Sequence, residues 1–203
     1  MEHVKRCLTF TKNNQTDQED QANREPNAYK RDISTAYAKF KRHGVSIDEK
    51  IKLLKKLGGL AWTGGLSASK LASKYLGDIL LILDEPNAPA KLSTAVIKAL
   101  VEITWHNDEI KEGLRSTHVL QKLYNILVMR DPELKELQQW AVYAMLCLAT
   151  DHHHNQIELL RIEDLPHSLH EMSEQSWTGW TNNEASKLFE LLGYQHKHTE
   201  GEG

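Results

Sequence analysis

The chain has two cysteines, Cys7 and Cys147, too few and too differently placed for a disulfide framework. A reducing, cytoplasmic setting is the expectation. Long apolar runs are also missing. No stretch approaches the ~20 residues of a membrane-spanning helix, and the first ten residues, MEHVKRCLTF, lack the apolar centre of a secretory signal. The formal glycosylation sequon Asn14-Gln15-Thr16 is therefore expected to be idle. Charge of one sign is not in excess either: 25 Lys and Arg stand against 28 Asp and Glu, a net charge of −3. That balance does not suggest a nucleic-acid-binding surface, and without a spanning stretch no membrane partner is expected. Residues 11–28 hold almost nothing apolar and cannot offset the entropy of ordering, so a flexible leader over 1–28 is expected, with a disordered tail at 196–203.

What the chain does have is helical periodicity. Asp131-Pro132-Glu133 is a helix start, because proline suits the first turn and early acids suit the dipole. Leu137, Ala141, Ala144, Met145 and Leu148 follow at helical spacing, with more apolar neighbours than one stripe needs. This predicts a helix buried on most sides. A polar turn from Asp151 to Asn155 leads to a second predicted helix ending on Leu165-Pro166.

The residues Ala144-Met145-Leu146-Cys147-Leu148-Ala149, the turn with Asn155, and Leu165-Pro166-His167-Ser168-Leu169 resemble an armadillo repeat. That family's innermost helix has the form Ala-Leu-x-Asn-Leu-Ala, followed by a polar turn, an Asn and a later Ile-Pro-x-Leu. Further copies of the inner-helix pattern stand at Ala99–Thr104, at Lys56–Ala61 and at Leu188–Gly193, with spacings of 43 to 45 residues. These fit the ~40–47-residue period of armadillo and HEAT repeats. The same register pairs Trp62 with Trp105, and Tyr75–Leu80 with His118–Leu123. The resemblance covers roughly residues 45–195. It implies an all-α, right-handed superhelical solenoid of about four armadillo-like repeats within a domain spanning 29–195. The amphipathic segment Tyr29–His43, stopped by Gly44, is the expected N-terminal capping helix.

Several patterns invite a chemical reading. The glycines at 58, 59, 64 and 65 lack both phosphate-loop spacings, and close helix packing with a helix stop is the expectation. Ser67-Ala68-Ser69-Lys70 has the S-x-x-K spacing of penicillin-recognising enzymes, but neither companion motif follows. Eleven histidines include the run His152-His153-His154 and the pair His167/His170. Metal binding at these histidines, or hydrolysis at Ser67, is the alternative to a non-catalytic role; a solvated turn plus a helix end is the expectation for the histidines. A nucleic-acid-binding helical array is a second alternative. No cofactor and no small-molecule ligand are indicated. Trp177 and Trp180 lie in a polar segment, 173–183, expected to pack over the last repeat.

Armadillo proteins that bind extended peptides hold the peptide backbone with an Asn on each inner helix, and a Trp one turn earlier forms a slot. Those Asn positions are here Gly59, Glu102, Cys147 and Leu191, and the Trp positions are Lys55, Lys98, Tyr143 and Lys187. The departure argues against recognition of basic peptides. Lys55, Lys98, Glu102, Tyr143 and Lys187 instead describe a candidate groove for an acidic segment of a partner protein. A non-catalytic scaffold or adaptor is the expected function, and the resemblance adds a placement in a ciliary or flagellar assembly.

Overall fold

A computed structural model describes residues 26–105 and 107–194. The expected tail, and all of the expected leader before Pro26, lie outside the described residues. Every regular element within them is helical. Helix α1, Pro26–Phe40, begins three residues earlier than the sequence pattern predicts. It buries Tyr29, Ile33, Ala36 and Phe40, one stripe at helical spacing, against α2 (Ile47–Thr63) and α3 (Gly65–Ser73). A left-handed turn at Gly44 (φ 77°) leads on to Ser46, whose Oγ accepts the Glu49 N–H at 3.2 Å and starts α2.

Next come α4 (Leu76–Leu80), α5 (Ala90–Thr104), α6 (Asp108–Gly113) and α7 (Val119–Leu127). The chain continues through α8 (Lys135–Ala149), α9 (His153–Leu160), α10 (Leu165–Ser173) and α11 (Glu184–Leu191). Two short outer helices separate each inner helix from the next. The inner helices α2, α5, α8 and α11 pack in chain order, each on its successor. All four inner-helix copies found in the sequence start within these helices. The paired positions Tyr75 and His118 are the N-terminal boundary residues of α4 and α7. The described residues therefore form an all-helical, armadillo-like solenoid.

Burial explains why the inner helices carry no clean stripe. Twelve of the 15 residues of α5 are buried, and ten of the 15 in α8. A helix packed on both neighbours and on its own outer pair has almost no solvent side. Helix α5 starts at Ala90, with Pro89 supplying the extended residue in front. Around Leu165-Pro166 the expectation is corrected. The pair opens α10 instead of closing a helix, because proline needs no N–H partner in a first turn.

The glycines divide sharply. A Cβ on Gly58 would lie 1.9 Å from the Glu102 carboxylate and 3.2 Å from Ala99 Cα, so its absence lets α2 approach α5. Gly59 has nothing within 4 Å, and the close-packing expectation fails there. Gly64 ends α2, and Gly65, at φ 67°, turns the chain into α3.

Candidate interaction face

The row of inner helices brings the five candidate groove residues onto successive repeats, but not into equal environments. Lys55 on α2 is exposed between exposed Lys52 and Lys56. Lys98 on α5 is half-buried. Its Nζ sits 3.4 Å from the Glu136 carboxylate and 4.5 Å from the centre of the Trp140 ring, a combined ion pair and cation–π contact. Lys187 on α11 pairs at 3.1 Å with the buried carboxylate of Glu184, one turn earlier. Glu102 is buried at the α2–α5 contact beside Gly58. Tyr143 is only 4% exposed.

Tyr143 is covered by the chain itself. The loop between α10 and α11 folds over the start of α8, placing the Trp180 ring 5.5 Å from Tyr143 and 4.9 Å from Trp140. Trp177, buried behind it, stacks edge-on to Trp180 at 5.2 Å, and its indole N–H donates to the Met172 carbonyl. Asn183 ties both ends of the loop. Its side-chain N–H donates to the Ser173 carbonyl, while its Oδ1 accepts the backbone N–H groups of Ala185 and Ser186 and so caps α11. Between this loop and α5 lies an open recess of about 510 Å³, with Lys98, Glu136, Trp140 and Trp180 in its wall.

The family model for Armadillo-like helical domain-containing protein 2 matches residues 4–197. The chain belongs to that family. Comparisons with curated proteins and with solved structures gave no match.

The histidines of this armadillo-like protein sit apart from the inner face. His152 corrects the solvated-turn expectation: it is buried, whereas His153 and His154 are exposed. Its Nδ1 accepts the Asn155 N–H at 3.3 Å, which makes it the N-cap of α9. An acceptor Nδ1 puts the proton of the neutral ring on Nε2, which faces the Glu112 carboxylate at 3.4 Å. Neither nitrogen then offers a free lone pair to a metal. Burial pushes the His152 pKa down, opposed by Glu112 and reinforced by Lys111. His154 pairs with the same Glu112 at 3.1 Å. His167 pairs with Glu171, and the His170 ring lies near Phe189. Among the described residues no three His, Cys, Asp or Glu converge in a group able to hold a metal ion. Ser67 is exposed on α3, and the lysine one turn on, Lys70, is engaged with Glu109 at 2.5 Å. No described helix is long and apolar enough to cross a membrane.

Two features escaped sequence reasoning. Lys111 is 4% exposed, and its Nζ reaches the Thr150 carbonyl at 2.7 Å, tying α6 to the end of α8 across the repeat boundary. A lone lysine in an acidic helix gives no sign of such a bond. The tilted contact of Trp180 with Trp140 was equally hidden, although both tryptophans are visible as residue types.

Proposed function

We propose that the protein is a non-catalytic scaffold or adaptor that receives an acidic segment of a partner protein along its inner-helix face. What supports this reading is the ordered row α2–α5–α8–α11, which sets Lys55 in the open near one end and Lys98 at the wall of a recess further along. A solenoid presents a long continuous surface, and lysines one repeat apart suit carboxylates spaced along an extended chain. At Lys98 and Lys187 an incoming carboxylate competes with Glu136 and Glu184, so affinity arises from exchange of ion pairs and from Lys55. Glu102 and Tyr143 support the face from beneath.

The test is an affinity purification from native tissue, comparing wild type with a folded Lys55→Glu/Lys98→Glu variant. A defined protein set recovered by the wild type and lost by the variant is the expected result. A set retained in full by the variant overturns the inner-face assignment, and no reproducible set overturns the adaptor reading. The ciliary or flagellar placement belongs to the same proposal. Imaging of a tagged chain in ciliated cells decides it, with diffuse signal excluding the axoneme counting against it.

A further inference from the structure

The near-neutral total hides a strong separation of charge. Residues 26–75, which build α1 to α3, carry eleven Lys and Arg against three Asp and Glu; residues 76–194 carry nine against eighteen. The basic end also holds the most exposed large apolar side chain among the described residues, Leu66, at 62%. Leu66 and half-buried Leu71 line a shallow recess of about 650 Å³ on α3, rimmed by Lys30 of α1 and by Lys70 and Lys74. Lys70 is neutralised by Glu109, but Lys30 and Lys74 are exposed and form no ion pair among the described residues. None of these residues belongs to the inner-helix row.

We infer that this α1–α3 face is a second docking surface, and that it takes an acidic amphipathic helix of a partner protein, with leucine-type side chains on one side and carboxylates beside them. An apolar floor alone would accept many occupants. The lysine rim selects a negatively charged one, and the surplus positive charge of the whole end steers it there. The concavity favours side chains projecting from a helix over a flat lipid surface, since leucines at i and i+3 or i+4 share one face and enter a groove together. Nucleic acid offers the charge without the apolar insertion that Leu66 and Leu71 call for.

The experiment is fluorescence anisotropy on the full chain, using a labelled helical peptide with Leu at every third or fourth position and Glu elsewhere. Circular dichroism verifies that each variant is folded. Saturable binding is expected, with affinity reduced about tenfold in Leu66→Asp. A similar reduction is expected in Lys30→Glu/Lys74→Glu, and none in Lys55→Glu, which separates this face from the inner one. Absence of binding, or equal binding in the Leu66→Asp variant, overturns the inference. So does equal affinity for a polyglutamate control, preferential binding of an oligonucleotide or of phosphatidylserine vesicles at this face, or self-association that the same variants abolish.

Discussion

Helices α5 and α8 hold the same place in successive repeats, 45 residues apart, yet they become buried by different means. Helix α5 lies between two long inner helices, the 17-residue α2 and the 15-residue α8. Helix α8 has α5 on one side but only the eight-residue α11 on the other. At the repeat spacing, Glu184 of α11 corresponds to Trp140, so α11 lacks the turns that would face the beginning of α8. The loop carrying Trp177 and Trp180 covers that ground instead. An inner helix between two full-length neighbours is enclosed by repetition, whereas one followed by a shortened helix needs a lid that repetition does not supply.

The turns after the two helices differ in a parallel way. Asn107 and His152, again 45 positions apart, both cap the outer helix that follows: Asn107 Oδ1 accepts from Ile110 N–H and His152 Nδ1 from Asn155 N–H. One cap is permanently neutral and the other can be protonated. Equal geometry thus carries unequal chemistry.

The largest expected effect breaks the lid. Trp177→Ala removes a buried indole and its bond to the Met172 carbonyl, and should lower stability by about 3 kcal/mol in urea denaturation. Trp105→Ala, which removes a half-exposed ring 5.4 Å from Trp62 at the end of α5, should cost only about 1 kcal/mol. Equal losses would show that the loop is an ornament on a self-sufficient α8.

On the other side of α5, a pair of adjacent glycines sharpens the contrast. Gly58→Ala forces Glu102 aside and pushes α2 from Ala99 on α5, with an expected net loss of about 1 kcal/mol despite the better helix propensity. Gly59→Ala meets open space and should gain about 0.5 kcal/mol from the same propensity. Thermal unfolding of the two variants distinguishes them by sign.

The smallest effect is the pH response of the α9 cap. Burial holds His152 below its ordinary pKa, so the unfolded chain takes up a proton more readily than the folded one. Stability from this group is full above the ordinary value of 6.5 and declines as pH falls below it toward the depressed folded value. His152→Asn installs the cap used at Asn107 and should keep α9 while flattening this part of the pH profile. An unchanged slope between the parent and the variant would assign the acid sensitivity to other groups.

The recurrence of the inner helices was legible because their pattern returns along the chain at 43 to 45 residues, and apolar side chains repeat wherever the packing does. The positions Lys55, Lys98, Tyr143 and Lys187 came from laying the armadillo resemblance on that spacing, and as a binding face they are a proposal. Their environments were not legible. Whether Tyr143 is open or covered depends on Trp180, which arrives from a later loop, and whether Lys98 is free depends on Glu136 and Trp140 on the next helix.

Sequence alone therefore determined the helical class, the repeat period and the residues assigned to the inner helices, because these arise from local periodicity and from identity at fixed spacing. Tertiary structure decided the rest: Gly58 as a contact and Gly59 as an open site, His152 as a buried cap and His154 as an exposed neighbour of Glu112, Lys111 as a bridge between repeats. Each of these depends on a neighbour brought in by packing of distant segments, and neighbouring residues of the same type meet different surroundings once the helices are stacked.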